Sequence, residues 1–323
     1  MTLALPPCIA IFVAWLALRV LRRSGRLPVD VPNERSLHPM PIPRGGGIAI
    51  WSGMLAGSAW LPQQQPWLAP LLLLVGVSLW DDRRGISVSL RLATQVAAAM
   101  AWLWVDGPVG WSHALPAVLV IVWMTNLYNF MDGSDGLAAS MTVVGFGAFA
   151  VAAGLAGQPV ALIITTVVAA TIPFLVLNFP PARIMLGDVG AVPLGFLAAA
   201  FGMGGWRAGY WPAWFPVLVF LPFIGDATLT LARRILSGAR VWQAHRDHYY
   251  QRLVRMGLGH GGTLTVYVAL MVGTATSALA ALLRAPNAGA SVLALWVAVL
   301  LLLYSGIGYH WNRVNKGLNE SKC

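Results

Sequence analysis

This chain of 323 residues is short of charge: Asp, Glu, Lys and Arg make up 10% of it, against about 25% in an ordinary soluble domain. Acidic residues are the scarcest, 11 against 21 Lys and Arg. With 58% hydrophobic residues and a mean hydropathy of +0.71, a soluble globular fold is excluded. There are two cysteines, Cys8 and Cys323, at opposite ends, which leaves no disulfide framework and no cysteine metal motif. Strict alternation of apolar and polar residues is missing as well, so a transmembrane barrel is excluded. No soluble basic module exists to bind nucleic acid, so the net charge of +10 belongs to loops beside anionic lipid.

What the chain has in quantity is apolar runs. A helix needs about 20 residues to cross a bilayer. The pattern predicts eleven spans, near 3–22, 46–61, 67–80, 88–105, 114–130, 137–155, 159–178, 191–205, 212–232, 263–283 and 290–309. The expected fold is an all-α polytopic membrane protein, one integral-membrane catalytic domain over 1–323 in the lipid bilayer. The first run has no preceding basic segment and no A-x-A site, so it reads as a retained helix rather than a signal peptide. With the N-terminus periplasmic, all of the Lys and Arg residues except Arg207 and Arg284 fall on cytoplasmic segments. That bias sets the C-terminus in the cytoplasm. Cytoplasmic loops then lie near 23–45, 81–87, 131–136, 179–190 and 233–262, and every acidic residue except Asp106 shares their side. A transporter or lipid flippase, the alternative reading, would carry its ionisable groups near the midplane. Polar chemistry gathered at one edge suits a membrane-surface enzyme.

Five segments carry that chemistry. The first inner loop, Val31 to Gly47, offers Arg35, His38 and Arg44 to phosphate, with Gly45 to Gly47 open for backbone approach. A rigid proline-rich connector would look the same. The adjacent Asp81 and Asp82 can ligate Mg²⁺ or act as a base, since neighbouring negative charges raise one pKa. A turn neutralised by Arg83 and Arg84 competes with that reading. Asn126, Asn129, Asp132 and Asp135 recur every three residues, the first two on one helix face. A capping turn needs one such group rather than four. Asp188, near Gly187 and Gly190 at a helix start with Arg183 upstream, suits a phosphate–Mg²⁺ site, although an N-cap explains an Asp there equally well. His245, Arg246, Asp247 and His248 offer cationic contacts to a diphosphate. A zinc pair of His245 and His248 lacks a third ligand nearby in sequence.

In order, PNERSLHPMPIPRGGG, DDRRG, NLYNFMDGSDGLA, NFPPARIMLGDVGA, PFIGDATLTLARR and HRDHYYQRL resemble the polyprenyl-phosphate N-acetylhexosamine-1-phosphate transferase superfamily, in its O-antigen-initiating branch. The resemblance runs from residue 31 to about 255. It implies Mg²⁺-dependent attack of undecaprenyl phosphate on the β-phosphorus of a UDP-N-acetylsugar, with UMP leaving and Mn²⁺ as a substitute ion. It places the protein in the bacterial inner membrane, at the start of O-antigen lipopolysaccharide or related cell-envelope synthesis, with the active site on the cytoplasmic face. A homodimer is among the arrangements it implies. Matched residue by residue, Asp81, Asp82, Asn129, Asp132 and His248 take catalytic positions. Asp188 takes the magnesium position. Asp135, Asn178, Arg183, Arg246 and Arg44 take substrate-binding ones, Asp135 at the uridine. Two departures stand out. Where many members read His-x-His-His, this chain has His248-Tyr249-Tyr250-Gln251, so the roles of two histidines do not carry over. Ala191 stands where serine is usual, at a cost of one hydrogen bond.

Overall fold

A computed structural model describes residues 4–25, 27–30, 37, 38, 40–59, 61, 65–107, 111–240 and 245–320, without the side chains of 111 and 315–320. Arg35 lies outside them. The described chain is helical apart from one two-residue antiparallel pair, β1 (Val29–Asp30) with β2 (Ile42–Pro43). In chain order the helices begin with α1 (Leu5–Ser24), α2 (Gly47–Ser58), α3 (Leu68–Arg84), α4 (Val88–Asp106) and α5 (Trp111–Phe130). There follow α6 (Leu137–Met141) and α7 (Gly147–Leu155), joined by a π-turn, then α8 (Val160–Asn178) and α9 (Asp188–Arg207). The last are α10 (Trp214–Val219), α11 (Leu221–Leu236), α12 (Tyr249–Leu253), α13 (Gly259–Arg284) and α14 (Gly289–Glu320).

Each of the eleven expected segments is helical, but eight helical stretches among the described residues are long and apolar enough to cross a membrane. Two differences have clear causes. The run at 46–61 forms the 12-residue α2, about 18 Å long at 1.5 Å per residue and too short to span alone. Its glycines press onto α1: a Cβ at Gly53 would lie 2.4 Å from the Ala10 carbonyl oxygen, and one at Gly57 2.6 Å from that of Pro6. The run at 212–232 breaks at Phe220, whose backbone leaves the helical region, and α11 restarts with Pro222 in its first turn. Proline lacks the N–H that would continue α10.

α9 is the central pillar. It is buried along nearly its whole length and packs against α2, α3 and α5. Lipid supplies little hydrophobic drive between helices, so close backbone approach through small residues has to supply the cohesion. A Cβ at Gly47 would sit 2.3 Å from Gly190 Cα, and one at Gly195 2.4 Å from the Met124 carbonyl oxygen. The Trp51 indole N–H donates to the Val189 carbonyl at 2.6 Å. Backbone bonds fasten the first loop to the approach of α9: Gly46 N to Met185 O at 2.9 Å, Gly47 N to Leu186 O at 3.0 Å and Met185 N to Pro43 O at 2.8 Å. The end of α3, the starts of α2, α4 and α9 and the end of α5 therefore meet at one pole. At the far end of α4 and α9, Arg207 donates to Asp106 at 2.7 Å. This pair joins two of the three charges that the topology placed on the periplasmic side.

Candidate active site

The pole is organised by the first turn of α9. Gly187 precedes it with φ +79°, a left-handed backbone that favours glycine. Two orphan amides of that turn point at Asp82: Asp188 N–H donates to Oδ1 at 3.1 Å and Val189 N–H to Oδ2 at 2.9 Å. A carboxylate from the end of α3 thus caps α9, satisfying amides and meeting the positive end of its dipole. The buried Asp188 carboxylate is left for the arginines. There Arg44 bonds Asp188 Oδ1, and its Nε stands 3.1 Å from Asp82 Oδ1. Arg91, from the first turn of α4, lies 3.4 Å from Asp81 and 3.7 Å from Asp188. Asp81 also accepts from the Ile86 N–H at 2.9 Å, closing the turn after α3. Asp132 joins the group through its electrostatic coupling to Arg44, Asp188 and Asp82 and a bond from the Gly187 N–H.

Four carboxylates therefore face two guanidiniums. Withdrawal from water pushes the Asp132 carboxyl well above the usual carboxylate range; Arg44 opposes this, while Asp188 and Asp82 add to it. Burial disfavours charge on Arg44, but Asp188, Asp82 and Asp132 outweigh burial and hold it protonated. Arg44, Arg91 and Asp132 of this cluster line a cavity of about 510 Å³, together with Gln95, Asn126, Asn129, His245 and His248.

The wall opposite α9 is built by the HRDHYYQRL segment around one buried carboxylate. Asp226 of α11 accepts from Tyr249 N–H at 3.0 Å, Tyr250 N–H at 2.9 Å and the Tyr267 hydroxyl, and lies 3.1 Å from His248 Nδ1. Tyr250 then donates to the Phe130 carbonyl at 2.9 Å, tying this wall to the end of α5. Asp247 is held by Arg234 and, through its carbonyl, by Arg233 at 2.8 Å and Arg252 at 3.1 Å. Burial would raise the Asp247 carboxyl, but the Arg234 hydrogen bond and the charges around it keep it below its ordinary value. His245 stacks on His248 with ring centroids 5.0 Å apart. Burial, with help from His248 and Arg234, lowers the His245 pKa to about 4.

Residues 65–205 match the family model described as glycosyl transferase family 4. A probable undecaprenyl-phosphate N-acetylglucosaminyl 1-phosphate transferase of Bacillus subtilis (strain 168) is 28% identical over 296 residues, covering 85% of this chain and 82% of its own. An undecaprenyl-phosphate alpha-N-acetylglucosaminyl 1-phosphate transferase of Yersinia pestis is 28% identical over 312 residues, with 87% and 82% covered. A decaprenyl-phosphate N-acetylglucosaminephosphotransferase of Mycobacterium tuberculosis (strain ATCC 25618 / H37Rv) is 29% identical over 313 residues, with 80% and 77% covered. Over residues 65–205 the chain is similar to glycosyl transferase family 4.

Of the site residues expected from sequence, the structure brings Asp81, Asp82, Asp132 and Asp188 into one cluster with Arg44. Arg44, Asn129, Asp132 and His248 line the cavity directly. The other seven do not line it: Asp81, Asp82 and Asp188 of the cluster, and Asn178, Asp135, Arg183 and Arg246 away from it. Asn178 is buried, accepting from Gly136 N–H at 2.9 Å and donating to Ile184 O at 2.8 Å, so it clasps two loops together. Asp135 is buried too, engaged by His38 and by Ala182 N–H at 2.9 Å. Burial would raise its carboxyl, yet the His38 and Ala182 hydrogen bonds hold it below the usual range. Arg183 is exposed on the bend before α9, and Arg246 is half-buried beside Asp247. Ala191 is fully buried in the first turns of α9. Sequence reasoning gave no role to Arg91, Gln95 or Asp226. Arg91 and Gln95 had a signal, two polar residues four apart on an apolar helix and hence on one face.

Proposed function

We propose that this protein transfers an N-acetylhexosamine 1-phosphate from a UDP-sugar to undecaprenyl phosphate. In the reaction an acceptor phosphate oxygen bonds the β-phosphorus, the bond from that phosphorus to the bridging oxygen breaks, and UMP leaves. The observation that carries this reading is the cluster of Arg44, Arg91 and four aspartates at the start of α9, of which Arg44, Arg91 and Asp132 line a cavity at the helix ends. Phosphoryl transfer asks a protein mainly for positioning and charge neutralisation. Arg44 and Arg91 suit the oxygens of a diphosphate as charge-assisted donors. His245, neutral near pH 7 because of its lowered pKa, can donate a hydrogen bond to a sugar or phosphate oxygen without adding charge. A transporter would place such groups midway along its helices; here they sit at helix ends.

The donor set fits Mg²⁺. The carboxylates outnumber the guanidiniums, all are hard oxygen ligands, and Asp132 lies withdrawn from water among like charges. Asp188 and Asp132 would hold the ion, which when bound supplies charge neutralisation to the diphosphate. The arginine-rich pole belongs on the cytoplasmic face by the positive-inside rule, in the inner membrane of a bacterium. N-acetylglucosamine, named in the relatives, is the first donor sugar to test, beside N-acetylfucosamine and N-acetylquinovosamine. Envelope polysaccharide such as O-antigen is the pathway that this product would enter. Purified protein given undecaprenyl phosphate, Mg²⁺ and a panel of UDP-N-acetylsugars should release UMP with at least one donor. Release from none would overturn the proposal. Asp188→Asn should nearly abolish turnover, and an unaltered Mg²⁺ dependence in that variant would remove Asp188 from the metal site.

A further inference from the structure

We infer that His38, Asp135 and His260 form a separate cation site, suited to Zn²⁺. They come from the loop before β2, the turn between α5 and α6, and the start of α13. One ligand atom from each lies within 4.8 Å of the others. None of the three lines the 510 Å³ cavity. The imidazole rings of His38 and His260 stack with centroids 4.5 Å apart and planes at 26°.

The hydrogen bonding fixes which lone pairs face inward. Asp135 Oδ2 is taken by the Ala182 N–H at 2.9 Å, so Oδ1 alone turns towards both histidines. The backbone N–H of Asp135 approaches His260 Nδ1 at 3.3 Å, and an N–H can only donate. Nδ1 is therefore the unprotonated nitrogen, and Nε2 carries the proton towards the Leu37 carbonyl at 3.5 Å. A carbonyl on the outer nitrogen is how metal-binding histidines are oriented. His260 Nδ1 lies 3.6 Å from Asp135 Oδ1, and an ion entering between them would take the Nδ1 lone pair from its Asp135 and Ser134 neighbours. Tetrahedral zinc with arms of about 2.0–2.1 Å sets its ligand atoms roughly 3.4 Å apart. Nε2 of His38 already touches Oδ1 and has only to draw back slightly. Two imidazoles and one carboxylate leave the fourth position open, and the partly exposed rings turn it to water. A calcium or magnesium ion would seek oxygen ligands instead.

The test uses full-length purified protein stripped with a chelator, then titrated with Zn²⁺ alone and, as an optical probe, Co²⁺ alone. The expected results are one ion per chain, visible Co²⁺ bands of a tetrahedral site and a raised unfolding temperature. His38→Ala and His260→Ala should each weaken binding on the order of 100-fold or more. Ser134 competes for His260 Nδ1 at 2.9 Å, so Ser134→Ala should bind at least as tightly. His245→Ala, which disrupts the other histidine pair, should keep the site. Absence of binding in the wild type, unchanged binding in His38→Ala, or loss in His245→Ala would each overturn the inference. If His260→Ala does not fold, His38→Ala decides alone. None of these readouts needs a sugar nucleotide or a lipid acceptor, so the site and the proposed transfer fail or stand independently.

Discussion

Asp82→Asn separates holding α9 in place from doing chemistry. Both oxygens of Asp82 accept amides of the first turn of α9, at 3.1 and 2.9 Å, and Oδ1 also meets Arg44 Nε at 3.1 Å. Asparagine keeps the size but offers one oxygen and one NH₂. One buried amide then faces a donor, and the charge on the other bond is lost. Hydrogen bonds to charged groups are worth about 1.5–3 kcal/mol, and a buried donor left unpaired costs about 1–3 kcal/mol. The variant should therefore lose roughly 2–4 kcal/mol, with a clear drop in unfolding temperature in detergent. Asp188 should shift with the loosened turn, so UMP release should fall as well. Asp81→Asn can keep its one oxygen on the Ile86 N–H at 2.9 Å, loses only charge and a longer contact to Arg91, and should cost less stability. An Asp82→Asn protein that unfolds like the wild type would refute the capping argument. Loss of UMP release in that same stable protein would make Asp82 a chemical group.

Other outcomes follow from single contacts. Gly47→Ala should destabilise by about 1–3 kcal/mol through overpacking against Gly190, while Gly76→Ala, with nothing near its Cβ, should not; equal melting of the two would refute the close approach. Tyr267→Phe removes one donor from Asp226 and should cost about 1.5–3 kcal/mol, the range for bonds to a charged group, with His248 and Tyr250 loosened and UMP release reduced. For His245 the folded pKa, about 4, lies below the ordinary 6.5. The unfolded chain binds the extra proton between those values, so stability present above about 6.5 is lost as pH falls towards 4. His245→Gln should flatten that part of a melting-temperature profile, and an unchanged slope would refute the assignment.

Local signals were legible in sequence where one segment carried them whole. Asp188, framed by glycines at a helix start, read as a site residue and stands at the pole. Asp81, Asp82 and Asp132 were legible in the same way. The distinct uses of their carboxylates were not, because the partners of Asp82 are backbone amides more than a hundred residues away. A hydropathy window averages across Phe220, so the break between α10 and α11 was hidden although Pro222 marked it. Length misled for α2, whose run looked like a span until packing against α1 showed where the helix stops. The convergence of His38, Asp135 and His260 had no sequence trace at separations of 97 and 125 residues.

The tight seating of α9 also limits how such a protein can diverge. No side chain can grow at Gly47 or Gly195 without displacing a neighbouring backbone, nor at Gly190 without displacing the Leu186 side chain. Changes that retune which sugar fits are therefore channelled to positions such as Leu92, Asn126, Leu231 and His245, which border the cavity without bearing on that axis. A rigid spine with a mutable rim lets one chemistry be inherited while its clientele changes.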